Sequence, residues 1–261
     1  MPKRTNHDHS ATVKPLTMAL VSLSGIATIL NDTMSPMLNV IESAIEKSVP
    51  DRKAVDVTNS RPTICQILHS LNVGGAEVLA DRLARNLSEQ YHFIFICLDS
   101  LGELGVRLKE DGFPVEVLGR KKGIDLHTCW KIARILRLEQ VDLIHAHQFT
   151  PFFYAQMSRL ARFHLPVLLT EHGRFHPDYP RRKRIIFNRL MLRRRDQTVA
   201  VGNAVGRALI DNEGIPQQRI NIVYNGIDLS RFDRTRFDRN IVRDTLGFTK
   251  DDFLIIHVAR L

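Results

Sequence analysis

Histidines, a glutamate and paired glycines stand directly after apolar runs of this sequence, where they could take part in chemistry. His145 and His147 lie at the end of one such run. Two imidazoles on the same side of a strand could bind a metal ion, but no third ligand lies nearby, and we predict no metal site. We interpret His147, at the strand tip, as a hydrogen-bonding or acid–base residue and His145 as a partly buried structural neighbour.

A carboxylate and an imidazole follow the next apolar run. The segment Thr170-Glu171-His172-Gly173 places both groups at a predicted strand end. Such a pair can accept hydrogen bonds or exchange protons with a bound hydroxyl group. The alternative interpretation is a capping interaction within an ordinary loop, because acidic residues often cap helices.

Two further loops could bind a ligand through their backbone. Gly74 and Gly75 precede a helical pattern that carries Glu77 in its first turn. Adjacent glycines permit close approach of backbone amides, and a helix N-terminus favours phosphate. The loop matches neither GKS or GKT nor GxGxxG, so a tight turn is the alternative. Asn203, after another apolar run, is predicted to be a helix N-cap with added ligand contact through exposed amides.

The elements that must position these residues alternate along the chain. Strands are predicted at 64–68, 92–98, 115–118, 143–146, 167–170, 198–201 and 220–224. Helices are predicted at 76–87, 126–138, 152–164, 181–194 and 204–212. This alternation predicts a doubly wound, parallel α/β sheet of Rossmann-like type, in which ligands bind beyond the carboxyl ends of the strands.

Composition separates the chain into three parts and suggests its partners. We predict an extension at 1–61, partly disordered or amphipathic, a Rossmann-like domain at 62–229, and a linker with the first strand of a second domain at 230–261. Residues 16–30 resemble a signal-peptide core, with an amphipathic helix as the alternative. The formal charge of +9 indicates an anionic partner. The three cysteines lack CxxC spacing and are predicted to be buried, reduced thiols.

Much of the positive charge lies in one segment, residues 181–195, which also carries apolar residues. One interpretation is a helix whose apolar face (Ile186, Phe187, Leu190 and Met191) packs on the core while a basic face is solvated. The other is docking to anionic lipid, where each surface cation contributes about 1 kcal/mol. We expect no nucleic-acid binding, because no aromatic stacking platform accompanies the charge.

From about residue 64 onward the sequence resembles the family 4 glycosyltransferases of the GT-B fold, whose N-terminal, acceptor-side half it would form. The motifs that carry this resemblance are Gly74-Gly75-Ala76-Glu77, His147, Thr170-Glu171-His172-Gly173, Asn225-Gly226-Ile227-Asp228 and His257-Val258-Ala259-Arg260-Leu261. The resemblance implies retaining transfer of a sugar from a nucleotide diphosphate-sugar, without a required metal or other cofactor. It also implies that Arg260 contacts the donor diphosphate. Ala259 replaces the usual glycine, and the Lys and E-x7-E elements of the donor domain are absent, as expected for a truncation or fragment.

The expected function is transfer of a hexose to a carbohydrate or lipid-linked acceptor in envelope polysaccharide or glycolipid synthesis. We expect the enzyme to be cytoplasmic, or peripheral on the cytoplasmic membrane face. His147, Glu171 and His172 would be catalytic residues that line the acceptor cleft. The residues expected to bind substrate are Gly74, Gly75, Glu77, Asn203 and Arg260. The alternative is a non-catalytic, membrane-associated α/β binding module without the donor half.

Overall fold

A computed structural model of the protein describes residues 23–46, 61–159, 165–173, 178–226 and 233–257, with side chains of the first range from residue 35 onward. The strands are β1 (Thr63–Ser70), β2 (His92–Ser100), β3 (Val115–Val117), β4 (Leu143–His147), β5 (Val167–Glu171), β6 (Gln197–Ala200) and β7 (Ile220–Ile222). The helices are α1 (Leu23–Glu46), α2 (Gly75–Leu87), α3 (Glu103–Glu110), α4 (Leu126–Leu138), α5 (Phe149–Ser158), α6 (Arg182–Met191), α7 (Asn203–Glu213) and α8 (Arg239–Thr245).

The seven strands form one parallel sheet in the order β3-β2-β1-β4-β5-β6-β7. The predicted fold class is confirmed. The chain runs outward from β1 to β3, then returns to the centre and runs outward again from β4 to β7. The strand order therefore reverses between β1 and β4, which pair through Gln66 and His145 among others. In sheets of this kind the crevice at the reversal point binds ligands.

The two faces of the sheet carry separate apolar layers, because successive side chains of a strand point to opposite sides. On the first face, α1, α2 and α3 pack on strand residues that include Ile64, Leu143 and Leu168. On the second face, α4, α5 and α7 pack on residues that include Ile144 and Leu169.

Helix α1 belongs to the core, although residues 1–61 are predicted to be an extension outside the domain. Met37, Ile41 and Ala44 lie on one side of the helix and are buried in the apolar layer of the first face. The helix packs against β5. The connections from β4 to β7 place their helices on the second face, so α1 covers strands that would otherwise be bare. The predicted signal-peptide core lies partly at residues 16–22, outside the described residues.

Several element bounds differ from those predicted. Helix α5 begins at Phe149 rather than 152, because Pro151 is tolerated within a first helical turn. Helix α6 ends at Met191, and its predicted apolar face is divided: Phe187 packs against Phe149 and Phe153, while Ile186 and Leu190 are 59% and 76% exposed. Helix α3 was not predicted. None of the described helices is long and apolar enough to span a membrane.

The strand predicted at the C-terminal end is not formed over residues 252–257. Phe253, Ile255 and Ile256 are 90%, 84% and 80% exposed. A strand needs a neighbour for its backbone hydrogen bonds, and these residues pair with no strand in the described part of the chain. Residues 258–261, and with them Arg260, lie outside the described residues.

Candidate functional site

Three imidazoles and one amide meet near the carboxyl ends of the central strands on the first face. His147 of β4 is hydrogen-bonded on both sides: its Nε2 is 2.6 Å from Oε1 of Gln66 on β1, and its Nδ1 is 2.8 Å from Nε2 of His172 beyond β5. His145 lies beside it, with ring centroids 4.2 Å apart, and its Nε2 is 2.8 Å from the hydroxyl of Thr170. We call these four side chains, Gln66, His145, His147 and His172, the imidazole cluster.

Burial keeps the imidazole cluster uncharged. It lowers the pKa of His145 to about 3 and that of His172 to about 4, and His172 contributes to the shift at His145. The pKa of His147 is lowered well below its usual value by burial, assisted by the two neighbouring histidines. At neutral pH the three rings are therefore neutral hydrogen-bonding groups. We predicted that His147 acts either in hydrogen bonding or as an acid–base residue, and its neutral state favours hydrogen bonding.

Glu171 is directed to the second face, away from the imidazole cluster, because it is two residues beyond Leu169 on β5. It lines an open pocket of about 200 Å³. The other lining residues are His69, Gln148, Phe149, Thr150, Gly173, Asp178, Arg181 and Arg184. Sequence reasoning grouped Glu171 with the histidines because they share a strand end, but the structure separates them across the sheet.

Arg184 is held rigidly at the edge of this pocket. Its Nη1 is 2.6 Å from the buried carboxylate of Glu213, and its guanidinium carbon lies 3.9 Å from the ring centroid of Phe149. Gln148 has a φ of 70°, which is rare for a residue other than glycine and turns the chain from β4 into α5. Such a conformation costs about 1–3 kcal/mol and occurs frequently at functional sites.

The glycine loop opens α2 at the carboxyl end of β1. Gly74 is the N-cap in an extended conformation and Gly75 is the first helical residue, so neither uses the left-handed region that paired glycines permit. The carboxylate of Glu77 lies against Gly74, where a Cβ atom would collide with it, whereas a Cβ atom at Gly75 would meet no atom within 4 Å. The backbone beside Gly75 is therefore open, and Glu77 interacts favourably with the positive end of the helix dipole.

Asn203 is not the helix cap that the sequence predicts. The N-cap of α7 is Gly202, and Asn203 is the first helical residue. The amide of Asn203 instead donates a 3.0 Å hydrogen bond to the hydroxyl of Tyr224. This bond joins α7 to the segment after β7, at the same end of the sheet as the other candidate residues.

Sequence reasoning missed the residues that surround the predicted ones. Gln66 was not predicted as a site residue because it lies within an apolar run of the sequence. At the ends of β1 and β2, Asp99 contacts both His69 (3.0 Å) and Arg120 (3.0 Å). Burial opposes ionisation of Asp99, but hydrogen bonds from His69 and Arg120 lower its pKa overall. Polar residues after apolar runs were the signal that could have identified His69 and Asp99.

The predicted reduced thiols are confirmed: Cys65, Cys97 and Cys129 are all buried and free. Within the ranges described above, no group of three His, Cys, Asp or Glu side chains is arranged to hold a metal ion.

Comparison with known proteins assigns the family. The sequence profile described as Glycosyltransferase Family 4 matches residues 73–231, more than half of the chain. This protein belongs to glycosyltransferase family 4. The match spans the glycine loop, the imidazole cluster from β4 onward, and the Asn-Gly segment after β7.

Individual relatives agree with this assignment. A Bacillus subtilis (strain 168) protein assigned as glycosyltransferase EpsF is 25% identical over 217 residues, which cover 78% of this chain and 55% of the relative. A crystal structure of a glycosyltransferase from Rickettsia africae ESF-5 has a TM-score of 0.62 at 19% identity, covering 74% of this chain and 51% of that one. Anabaena Alr3699/HepE, in complex with UDP and glucose, has a TM-score of 0.54 at 19% identity, covering 70% and 50%.

These relatives are longer proteins. The chain spans about half the length of each of them, and the matched structures share its fold.

Proposed function

We propose that this chain supplies the acceptor-side half of a retaining glycosyltransferase that transfers a hexose from a nucleotide diphosphate-sugar. The observation that carries the proposal is the hydrogen-bonded row Gln66–His147–His172, which crosses β1, β4 and β5 where the strand order reverses. Chemistry in an α/β sheet is expected at this crevice, and the chain belongs to a glycosyltransferase family. The complex of Alr3699/HepE with UDP and glucose supports a nucleotide-sugar donor.

In this proposal the two faces have different substrates. The neutral imidazole of His172, which His147 holds in place, offers a hydrogen bond to a hydroxyl group of the donor sugar. The open backbone at Gly75 offers a second contact to the donor. The pocket that contains Glu171 binds a carbohydrate or lipid-linked acceptor. A retaining reaction without an enzymic nucleophile relies on stabilisation of the leaving diphosphate, for which Arg260 is the candidate in this chain. We expect no metal to be required.

The chain can be tested directly for donor binding and transfer. We expect UDP-glucose, as the first donor tried in a panel of nucleotide-sugars, to bind in calorimetry and to be hydrolysed or transferred. His147→Ala should abolish this activity, whereas His127→Ala, an exposed histidine on α4, should leave it unchanged. If no donor in the panel binds, the enzymatic proposal fails for this chain.

That negative result would favour the alternative function, a binding module that retains the acceptor side. Its supporting observation is the open pocket lined by Glu171 and Arg184, which lies apart from the imidazole cluster. Acceptor binding without donor binding would identify such a module.

We also propose that α6 docks the protein on an anionic membrane surface, peripherally and on the cytoplasmic face. Ile186 and Leu190 are one helical turn apart and exposed, and exposed basic residues adjoin them at positions 182, 183 and 189. Apolar side chains within a cationic patch are typical of helices that lie in the lipid headgroup region. A lipid-linked acceptor would then approach the pocket along α6, because Arg181 and Arg184 at the start of this helix line the pocket.

A further inference from the structure

Gln66 is a polar side chain in the middle of the sheet. It lies on β1 between Cys65 and Ile67 and is fully buried, as are both neighbours. Its Oε1 is hydrogen-bonded to His147, but its Nε2 has no partner among the described residues. A buried donor without a partner destabilises the folded state. Stability alone therefore does not explain an amide at this position.

The amide determines which nitrogen of His147 carries the proton. A carbonyl oxygen only accepts hydrogen bonds, so Nε2 of His147 must be the donor in the 2.6 Å contact with Gln66. In a neutral imidazole the other nitrogen is then an acceptor. Nδ1 of His147 consequently accepts from Nε2 of His172, at 2.8 Å.

The same reasoning determines the tautomer of His172. Because its Nε2 carries the proton, its Nδ1 holds a lone pair. That Nδ1 is buried and has no partner in the described part of the chain. The row of hydrogen bonds thus has one direction, from His172 through His147 to Gln66. The unsatisfied acceptor, Nδ1 of His172, lies at the start of this row.

We propose that Gln66 is a positioning residue that fixes His147 and His172 as their Nε2–H tautomers, so that Nδ1 of His172 accepts a hydrogen bond from a substrate hydroxyl group. The tautomers follow from the geometry of the protein itself, while the hydroxyl partner rests on the proposed function. With the amide turned over, Nε2 of Gln66 would donate to His147, both histidines would carry the proton on Nδ1, and His172 would present a donor. The orientation of the Gln66 amide therefore determines whether Nδ1 of His172 accepts or donates a hydrogen bond.

The tautomers can be read by NMR without substrate, in protein labelled with ¹⁵N-histidine and assigned by single His→Gln variants. We expect His147 and His172 both to show a protonated Nε2 and an unprotonated Nδ1. Methionine is similar in shape to glutamine but lacks the acceptor oxygen. In the Gln66→Met variant, His147 should therefore no longer be present only as its Nε2–H tautomer. Gln66→Glu should restore it, because a carboxylate only accepts. Gln197→Met, a half-buried glutamine on β6, is the matched control and should leave these signals unchanged.

A protonated Nδ1 on His147 in the unaltered protein would overturn the proposal. So would unchanged signals of His147 and His172 in a folded Gln66→Met variant. If the protein transfers sugar, Gln66→Met should reduce the rate about tenfold, the expected loss for one misdirected hydrogen bond. Absence of transfer with the predicted tautomers would count against the proposed function alone, whereas transfer with the opposite tautomers would count against this inference alone.

Discussion

Glu171 and His172 are adjacent in the chain, but their side chains lie on opposite faces of the sheet. His172 is hydrogen-bonded to His147 on the first face, and Glu171 lines the pocket between β5, α5 and α6 on the second. Under the proposed function, the end of β5 thus separates the donor side of the sheet from the acceptor pocket, which is the pocket that Glu171 lines. Substitutions at these two positions should therefore affect different substrates.

Glu171→Gln should weaken the acceptor interaction and leave the donor interaction intact. The substitution removes a negative charge from the acceptor pocket but changes no bond in the imidazole cluster. We expect a rise of about tenfold in the KM for acceptor, equivalent to one lost hydrogen bond to a charged group, with an unchanged donor Kd. Steady-state kinetics and calorimetry measure both quantities. Glu103→Gln, an exposed glutamate on α3, is the control, and an equal loss of donor affinity would contradict the separation of faces.

The buried histidines should make the protein unstable in mild acid. Burial depresses the pKa of His145 to about 3 and also lowers that of His147, while the unfolded chain takes up protons near pH 6.5. Stability is thus fully present above pH 6.5 and falls as the pH decreases from 6.5 toward 3, the pKa of the buried His145. Each of these two histidines can contribute up to about 1.4 kcal/mol of loss per pH unit in this window.

Urea denaturation at pH 7.5, 6.0 and 5.0 measures this loss. His147→Gln should make the dependence of unfolding free energy on pH shallower, since one depressed imidazole is removed. His127→Ala, on the exposed side of α4, should not change it. A stability that is constant from pH 7.5 to 5.0 would contradict the burial of uncharged histidines.

Helix α1 should be necessary for the stability of the domain. Ile41 is fully buried against the first face, and Ile41→Ala should reduce the free energy of unfolding by about 2–5 kcal/mol, the usual effect of truncating a buried side chain. Urea denaturation checks the value. Asn39→Ala, exposed on the same helix, should cost less than about 0.5 kcal/mol. Equal stabilities of the two variants would show that α1 lies outside the cooperative unit.

The membrane proposal predicts binding to anionic vesicles at low salt, where electrostatic attraction is strongest. Vesicles of phosphatidylglycerol should retain the protein in a flotation assay, and vesicles of phosphatidylcholine should not. Ile186→Ser with Leu190→Ser should reduce retention at least tenfold. The matched control is Leu126→Ser with Leu138→Ser, two leucines of α4 that are 66% and 61% exposed. Equal retention of both double variants would rule out docking through α6.

The sequence allowed the strands to be predicted because buried parallel strands are almost continuously apolar. The same property concealed Gln66: one polar residue within an apolar run gives no periodic signal, and its role appears only when β1 and β4 pair. The division of Glu171 from His172 could have been deduced from strand alternation, since the two positions differ by one residue. That Glu171 shares a pocket with Phe149, and that His172 bonds His147, could not be deduced, because both depend on the order of strands in the sheet.

Helix boundaries show the same limit of local information. Asn203 has the chemistry of an N-cap, but Gly202 occupies that position and Asn203 bonds Tyr224, a residue distant in sequence. For α1, the apolar spacing of Met37, Ile41 and Ala44 indicates an amphipathic helix. Its packing on β5 could not be inferred, because local spacing does not specify a partner far along the chain.

The position of α1 has a consequence for how the chain folds during synthesis. The helix leaves the ribosome before any strand, but β5, against which it packs, emerges only after most of the domain. The contact of its apolar side with β5 is therefore missing while β1 to β4 assemble, because long-range contacts form late. We expect nascent chains that end before β5 to expose this helix to chaperones, and those that extend past β6 to release it.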